Sequence, residues 1–562
     1  MSSSSSIQLP PDLNLADYFL FDRLAEGKGD KIAIRFGDRS YTFADIADRA
    51  RRFASLLRSH GIGHEQRVYI VAHDTPAFVW ALFGTLANGS VVAMGNPDAP
   101  ADDLAYVLDY IRASALVTTT AVADALGERL ENHPSLRALF LVPEVPTGGD
   151  VEGDVPRLAS APKRLFVRPL PRALAEADPE APLPRVHRDD MAIWLFTSGS
   201  TGRPKAAMHT HGDFAYSTEA YAKGTIGYRE TDCTVSVPRL FFGYATGTNL
   251  LFPFAVGASV GLYSERPTPE ALVNAIDTYG ATIVTNVPTM MSKLLEYDEQ
   301  RERDGRERLT LPSVRFHLSA GEALCPSLLE RFQRRFGTEI YDGIGSAEMF
   351  HIYVSNRPGD VKPGSLGKVV EGYSVKVLSP DAEGPGASEV PRGETGILWV
   401  RGNSVALGYH QDREKSWEVF HGAWCKTGDL FRMDEEGYLW FSGRADDLLK
   451  VNAQWVAPLE VEQCLMAHPD VALAAVVGIE ELGFVKPRAF VVVKESAKPR
   501  IASAAMRVRL RMELQAHVRQ HLSKHKYPRS IVFIDDLPKN DRGKIDRRAL
   551  RVVDDTEEDK LS

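Results

Sequence analysis

The sequence predicts an α/β fold. We expect a large N-terminal domain of two helix-covered, mostly parallel sheets, a small β-barrel-like subdomain and a small α+β C-terminal domain. The length of 562 residues exceeds what one ordinary hydrophobic core organises. Helical and strand patterns alternate through 43–118 and 191–345, as is typical of parallel sheets covered by helices. From 363 to 443, short β-like runs bordered by glycines replace that alternation.

The first alternating block gives the clearest predicted elements. In chain order they are helix Phe43–His60, strand Arg67–Ala72, helix Thr75–Leu86, strand Val91–Met94, helix Asp103–Ala113 and strand Ala115–Thr118. Residues 143–187 are rich in Pro, Ala, Gly and charge, and we expect a long connector there before strand Met191–Phe196. The apolar stretches Phe78–Met94 and Leu250–Tyr263 are too interrupted to span a bilayer. They predict a buried helix followed by a strand, and core strands, respectively.

The last part of the chain predicts a separate domain. Short strands are expected at Tyr373–Leu378, Thr395–Val400 and Tyr438–Phe441. The segment Gly443–Asp447 then marks a boundary, so we predict an N-terminal domain 1–445 and a C-terminal domain 446–562. The C-terminal elements are helix Pro458–Ala467, strands Val471–Ile479 and Arg488–Val493, helix Ala504–Leu522 and strand Ser530–Ile534.

Composition and charge exclude several classes of protein. The 66 basic and 75 acidic residues give a net charge of −9, which argues against a dedicated nucleic-acid binder. The four cysteines are far apart and form no CxxC pair, which suits a reducing compartment and gives no zinc or iron–sulfur signature. The Ser-rich start lacks the basic and apolar regions of a signal peptide. We therefore expect a soluble, cytoplasmic protein with no membrane or nucleic-acid partner.

The most informative segment is the run from Phe196 to Lys205, Phe-Thr-Ser-Gly-Ser-Thr-Gly-Arg-Pro-Lys, which follows an apolar strand. Backbone N–H groups and hydroxyls of such a loop can face phosphate oxygens, and its glycines allow close approach. The spacing is not that of a Walker A loop. The candidate phosphate-binding residues are Thr197, Ser198, Gly199, Ser200, Thr201, Gly202 and Lys205.

This loop resembles the phosphate-loop signature of the acyl-adenylate-forming superfamily, which comprises acyl-CoA synthetases, adenylation domains of peptide synthetases and beetle luciferases. Further motifs follow in the expected order. Tyr341–Glu348 resembles the adenine-site motif, Lys426–Asp429 the ribose-binding Thr-Gly-Asp, Gly443–Asp447 the hinge, and Pro538–Lys544 the C-terminal motif with a catalytic lysine. Motifs spread from 196 to 544 cover most of the chain, so coincidence is not a credible explanation.

The resemblance implies a role for each motif residue. Lys544 and Glu348 would be catalytic: the lysine would bridge the carboxylate and the α-phosphate, and the glutamate would hold Mg²⁺. Tyr341 would stack on adenine. The other residues implied to bind ATP or AMP are Gly321 and Glu322 beside the base, Asp342 in the adenine-site motif, Asp429 on the ribose hydroxyls, and Arg444 on ribose or phosphate.

The C-terminal domain is implied to be mobile, turning about Asp446 between two half-reactions, with Lys450 and Ala453 at the channel for coenzyme A. Two residues depart from the family pattern. Ala347 stands where relatives usually have Thr, so a hydroxyl toward the α-phosphate is missing. Ala453 stands where relatives usually have Gly, and its methyl group would narrow the pantetheine tunnel.

Three segments resemble the benzoate-CoA ligase branch of this superfamily, namely Arg239–Gly247, Met349–Asn356 and Lys450–Pro458. The resemblance implies a short, flat pocket for an aryl ring. Its lining residues would be Phe242, Tyr244, Ala245, Ala320, Gly345, His351 and Ile352. Phe241 and Phe242 either face this pocket or pack in the core. No Asp lies in 239–247 to hold an α-ammonium group, which weighs against an amino-acid adenylation domain.

The sequence thus predicts an aryl-CoA ligase that uses ATP, Mg²⁺ and coenzyme A. Benzoate is the first candidate substrate, and 2-aminobenzoate or a hydroxybenzoate is the second. One alternative is a stand-alone adenylating enzyme that loads an aryl group onto a carrier protein. A non-enzymatic nucleotide-sensing module would need only the phosphate loop, and it leaves Lys544 on a separate domain unexplained. A homodimer is also expected.

Overall fold

A computed structural model of the chain describes residues 7–198, 203–451, 454–481, 484–538 and 546–552. The chain divides into two compact units. The first comprises residues 1–375 and 400–426, and the second comprises 376–399 and 427–562. This division groups residues 376–399 and 427–445 with the C-terminal segment, whereas the sequence predicted a domain boundary at 445/446. The position of the functional hinge stays a prediction.

Two large sheets form the first unit. A nine-stranded sheet has the spatial order Lys368–Val369, Ile352–Ser355, Glu339–Gly345, Phe316–Ser319, Ile283–Asn286, Cys233–Ser236, Ser259–Leu262, Ile32–Phe36 and Arg39–Thr42. A seven-stranded sheet has the order Phe166–Pro169, Ala138–Leu141, Ala115–Thr118, Arg67–Val71, Val91–Met94, Met191–Ser198 and Pro204–Thr210. Neighbouring strands are parallel except near the edges of the sheets. The predicted pair of mostly parallel sheets is confirmed.

Three smaller sheets follow along the chain. A five-stranded sheet contains Ser374–Leu378, Thr395–Arg401, Trp424–Met433 and Phe420–His421 in that order, with Leu439–Arg444 paired to Trp424–Met433. It corresponds to the predicted β-barrel-like subdomain. A hairpin pairs Leu449–Val451 with Gln454–Val456. In the second unit, Val471–Glu481 and Phe484–Val493 are antiparallel, and Ser530–Phe533 is parallel to the latter.

Helices cover these sheets. Those of the first unit are Asp22–Ala25, Phe43–Ser59, Pro76–Ala87, Ala101–Tyr110, Thr120–Leu126, Glu128–Asn132, Leu170–Glu176, His211–Ser217, Gly243–Thr246, Phe252–Val256, Pro269–Tyr279, Pro288–Arg303, Pro326–Phe336 and Arg413–Val419. Three π-helical stretches occupy Asp17–Phe21, Thr218–Ile226 and Gly247–Leu251. The second unit has Pro458–Met466, Ala504–His521 and Arg547–Arg551. Single 3₁₀ turns lie at Ala347–Met349 and Ala445–Asp447, and a longer 3₁₀ helix occupies Glu495–Ile501.

Local chemistry explains where these helices begin. Phe43–Ser59 starts with a capping box, in which Thr42 Oγ1 accepts from the Asp45 N–H and the Asp45 carboxylate accepts from the Thr42 N–H. Pro76–Ala87 has no polar stripe, and all of its residues are buried. The alternation read from the sequence therefore produces the elements that were predicted in this block.

Two predicted segments differ from the structure. The connector 143–187 contains strand Phe166–Pro169, which pairs with Ala138–Leu141, and helix Leu170–Glu176. Leu170, Ala173 and Leu174 of that helix are buried at helical spacing. Leu250–Tyr263 was expected to form core strands, but Phe252–Val256 is helical and the strand begins only at Ser259. Gly257, at φ +74°, ends that helix in the left-handed conformation.

The fold places a set of segments at one edge of the nine-stranded sheet. Strands Cys233–Ser236, Ile283–Asn286, Phe316–Ser319 and Glu339–Gly345 run parallel as consecutive neighbours, so their carboxyl ends meet there. In open α/β sheets this edge is where ligands bind. Within the described residues, no helix is both long and apolar enough to cross a membrane.

Candidate active site

The two strands on either side of the phosphate-loop motif form an antiparallel pair. Strand Met191–Ser198 is antiparallel to Pro204–Thr210, and the pairing continues to Thr197 opposite Lys205 and Ser198 opposite Pro204. Gly199, Ser200, Thr201 and Gly202 lie outside the described residues. The hairpin therefore fixes both ends of the predicted phosphate-binding loop.

Lys205 lies in a cluster of polar groups near the start of strand Pro204–Thr210. Its Nζ is 2.7 Å from Asp412 Oδ2, and the hydrogen bond from Lys205 lowers the pKa of the Asp412 carboxyl. The same Nζ lies 5.9 Å from the ring centroid of Tyr409. Backbone hydrogen bonds between 206–208 and 407–410 hold these residues together. One lysine and one carboxylate thus flank the loop.

Tyr409 connects this cluster to Glu348. The Tyr409 hydroxyl donates to Glu348 Oε1 at 2.6 Å, and burial and the nearby carboxylate raise the pKa of Tyr409. The Glu348 carbonyl also accepts from the Ala406 N–H. The carboxylate is half-buried, and the tyrosine hydroxyl bonds one of its oxygens. Its hard, oriented oxygens fit Mg²⁺.

A histidine that the motifs did not indicate contacts the residue just before Glu348. His209 is fully buried, its Nδ1 is 2.8 Å from Asp213 Oδ2, and its Nε2 is 2.6 Å from the Ala347 carbonyl. Both ring nitrogens therefore lie within hydrogen-bond distance of an oxygen atom. His209 therefore fixes the turn in which Ala347 replaces the usual Thr.

The adenine-site motif is divided between two faces of its strand. In Glu339–Gly345, side chains alternate, so Tyr341 lies on the opposite face from Asp342. The Tyr341 hydroxyl donates to Glu339 Oε2 at 2.6 Å, and its ring centroid is 4.8 Å from that of Phe316. The structure does not bring Tyr341 to the face of Asp342, so the two residues cannot contact one base from the same side. Stacking by Tyr341 stays a prediction.

Asp342 is a buried acid. Burial raises its pKa to about 8, and its Oδ1 has no hydrogen-bond partner among the described residues. In the unfolded chain, the Asp342 carboxyl would ionise near pH 4. The folded state therefore binds the Asp342 proton more tightly than the unfolded state does, and it loses stability as the pH rises from 4 through 8. Each unit of pKa difference corresponds to roughly 1.4 kcal/mol.

Asp342→Asn should therefore stabilise the protein, with a gain that grows between pH 5 and pH 8. We expect the melting temperature at pH 8 to rise by about 2 to 5 °C, as measured by thermal unfolding. Asp298→Asn is the matched control, because the Asp298 carboxylate is bonded by Arg308 and Arg335. That control should lose stability. A gain for Asp342→Asn that is equal at pH 5 and pH 8 would contradict this assignment.

The predicted aryl pocket has an aromatic wall built around His351. The imidazole centroid lies 5.6 Å from Tyr244, 5.4 Å from Tyr221 and 4.6 Å from Phe252. His351 Nε2 donates to the Tyr244 carbonyl at 3.1 Å, and burial lowers the His351 pKa to about 3. The ring is therefore neutral and its Nδ1 is an acceptor. Neither Nδ1 nor the Tyr244 hydroxyl has a partner within the described part of the chain.

Two glycines allow this close packing. A Cβ on Gly247 would lie 2.5 Å from His351 Cδ2, and a Cβ on Gly345 would lie 2.4 Å from the His351 carbonyl oxygen. Of the other predicted pocket residues, Ala245, Ala320 and Ile352 are buried. Phe242 is 55% exposed and its ring packs against Phe241, so it is not a core residue. A role for Phe242 at the pocket mouth stays a prediction.

Near the predicted base site, Gly321 has φ +84° and follows strand Phe316–Ser319 closely. The Glu322 carboxylate accepts from the N–H and the hydroxyl of Thr289, at 3.0 and 2.6 Å. These bonds tie the 320–322 segment to the start of helix Pro288–Arg303. The segment is therefore held at the edge of the sheet where the parallel strands end.

In the second unit, two residues that were each predicted to contact the nucleotide, Asp429 and Arg444, form an ion pair. Asp429 and Arg444 face each other across strands Trp424–Met433 and Leu439–Arg444, with Arg444 Nη1 2.7 Å from Asp429 Oδ1.

Asp446, the predicted hinge residue, is exposed in a single 3₁₀ turn. Lys450 Nζ lies 4.8 Å from the Trp455 ring centroid. Lys544 and Ala453 lie outside the described residues.

Comparisons with known proteins show the family to which the chain belongs. Residues 21–410 match the family of AMP-binding enzymes, and 460–544 match the AMP-binding enzyme C-terminal domain. A benzoate–CoA ligase of Thauera aromatica is 37% identical over 97% of both chains. The crystal structure of a benzoate CoA ligase from Burkholderia xenovorans LB400 gives a TM-score of 0.77 at 36% identity, covering 96% of this chain and 100% of that one.

A second solved structure is also similar. The anthranilate CoA ligase AuaEII, in complex with anthranoyl-AMP, gives a TM-score of 0.79 at 32% identity and covers 97% of each chain. Fold and site together define a nucleotide-dependent enzyme with a two-part architecture. The chain belongs to the AMP-binding enzyme family. The resemblance read from its motifs is thereby confirmed.

Proposed function

We propose that this protein is an aryl-CoA ligase that converts an aryl carboxylate, ATP and coenzyme A into aryl-CoA, AMP and pyrophosphate. The observation that carries this proposal is the union of two features in the first unit. First, Tyr409 contacts both Lys205, next to the phosphate loop, and the Glu348 carboxylate. Second, His351, three residues after Glu348 in the chain, lies at the centre of the aromatic wall. The predicted nucleotide groups and the predicted aryl pocket are therefore neighbours along the chain. Benzoate is the first candidate substrate, and its 2-amino and hydroxy derivatives are the second.

The chemistry explains the residue types. A carboxylate does not react with a thiol because oxide is too poor a leaving group, and transfer of AMP supplies a better one. That step gathers negative charge, so it needs cations and N–H donors. Lys205, the loop 199–202 and Lys544 would supply them, and Glu348 would hold Mg²⁺. When bound, Mg²⁺ neutralises phosphate charge. Asp429 and Arg444 would hold the ribose end of the nucleotide.

The pocket favours an aryl acid with a small polar substituent. The neutral His351 ring offers an acceptor at Nδ1, and Tyr244 offers a hydroxyl, both buried among aromatic rings. An amino group next to the carboxylate is a donor that would match Nδ1. A site with a buried polar group discriminates between substrates more sharply than a site that selects by substrate size alone.

The test is a substrate panel with two readouts, pyrophosphate release and CoA-thioester formation. We expect 2-aminobenzoate and benzoate to be good substrates, and cinnamate and octanoate to be poor, by about 10- to 200-fold or more in kcat/KM. His351→Phe should lower kcat/KM for 2-aminobenzoate relative to benzoate. The control Trp417→Leu, at an exposed position outside the predicted pocket, should leave that ratio unchanged. A preference for cinnamate or octanoate would overturn the pocket assignment.

The same panel separates the alternative function. An adenylating enzyme that serves a carrier protein would release pyrophosphate with the aryl acid and form no thioester with free coenzyme A. We expect both products to form. The homodimer and the cytoplasmic location stay predictions, which size-exclusion chromatography with light scattering and cell fractionation would test.

A further inference from the structure

Three soft or borderline metal ligands meet in the second unit. Cys464 lies on helix Pro458–Met466, and His517 and His521 lie on helix Ala504–His521. The Cys464 Sγ and one nitrogen of each imidazole all lie within 4.8 Å of one another. The nucleotide site and the acyl pocket proposed above use none of these residues.

Helix geometry and core packing bring the three together. His517 and His521 are four residues apart, so they occupy the same helix face, and their ring centroids are 4.4 Å apart. Val461 and Leu465 of the first helix share a buried core with Leu514 and Val518 of the second. Cys464 and His517 are half-buried and His521 is exposed, so an ion can reach the cluster from solvent.

Hydrogen bonds to backbone carbonyls orient both imidazoles. His517 Nε2 lies 3.1 Å from the Cys464 carbonyl oxygen, and His521 Nδ1 lies 2.8 Å from the His517 carbonyl oxygen. Because a carbonyl only accepts, each of these nitrogens carries the proton and the other keeps its lone pair. Metal-binding histidines show this arrangement, in which a carbonyl fixes the tautomer.

Zn²⁺ binds a cysteine as the thiolate. A bound metal would therefore displace the thiol proton of Cys464 into solvent.

We propose that Cys464, His517 and His521 form a binding site for a divalent transition metal, with Zn²⁺ as the best match. One thiolate and two imidazoles suit Zn²⁺, and the mixed sulfur and nitrogen set is unsuited to Mg²⁺ or Ca²⁺. Water would complete a four-coordinate site. Binding would link the two helices and stabilise the second unit by mass action.

The test uses the full-length, metal-free protein titrated with Co²⁺ under a non-thiol reductant, followed by displacement with Zn²⁺. We expect one equivalent of Co²⁺ to produce the intense d–d absorption of a tetrahedral site and a thiolate-to-cobalt charge-transfer band. Stoichiometric Zn²⁺ should abolish both signals. The Zn²⁺ form should also melt at a higher temperature than the metal-free form.

Two variants and a control decide the outcome. Cys464→Ser should remove the charge-transfer band, and His521→Ala should weaken Co²⁺ binding by at least the 10- to 100-fold that loss of an outer partner costs. Cys325→Ser, at an exposed cysteine outside the cluster, should change neither. Circular dichroism verifies that each variant is folded. Absence of the charge-transfer band in wild type, or its persistence in Cys464→Ser, would overturn the proposal.

Discussion

Lys544→Ala should abolish formation of the aryl adenylate while thioester formation from supplied aryl-AMP persists. The lysine would neutralise charge that develops between the carboxylate and the α-phosphate, and that charge exists only in the adenylation transition state. Loss of one such group costs about 100- to 1,000-fold in rate. Pyrophosphate exchange measures the first half-reaction, and single-turnover thioester formation from synthetic aryl-AMP measures the second.

The matched control is Lys539→Ala, which removes a lysine from the same C-terminal motif. Adenylation should survive in this variant, which separates the role of Lys544 from a general loss of basic charge. An equal loss of both half-reactions in Lys544→Ala would contradict the assignment of this lysine to one half-reaction.

Glu348→Gln should lower ATP-dependent activity by more than about 100-fold and should raise the Mg²⁺ concentration needed for half-maximal rate. The amide has nearly the same shape, and its oxygen still accepts from the Tyr409 hydroxyl, which lies 2.6 Å away. It lacks the negative charge that a hard divalent cation prefers. Initial rates of pyrophosphate release over a Mg²⁺ titration measure both quantities.

Tyr409→Phe separates charge from orientation at the same carboxylate. This variant keeps the Glu348 charge and removes one hydrogen bond, which is worth about 0.5–1.5 kcal/mol when its partner is neutral and more when it is charged. We expect a loss of roughly 10-fold and a smaller change in the Mg²⁺ requirement. If Glu348→Gln and Tyr409→Phe had equal effects on the Mg²⁺ titration, the carboxylate would not be the metal ligand.

Local patterns predicted much of this molecule. The alternation through 43–118 gave elements whose observed ends differ by only a few residues, because an amphipathic period reports which face is buried. The order of the nucleotide motifs led to the family, since each motif is a continuous segment. The paired Asp429 and Arg444 come from separate motifs, and the strand register brings them together.

Segments without a clear period were predicted less well. The helix Phe252–Val256 lies in an apolar run that is buried on every side, so neither a period of 3.6 nor a period of 2 is visible there. The strand Phe166–Pro169 is an edge strand of four half-buried residues. Prolines lie close to it in the sequence, and because proline is uncommon in strands, the local sequence does not indicate one there.

The sequence by itself determined the class of fold, the family and the residue types of the nucleotide site, because these depend on contiguous motifs and on hydrophobic period. Only the tertiary structure decided which side chains meet. It placed His209 beside Ala347, paired Asp429 with Arg444, and joined Cys464 to His517 and His521. The physical reason is that such meetings depend on strand register and helix packing between segments distant in the chain, which the local sequence does not encode.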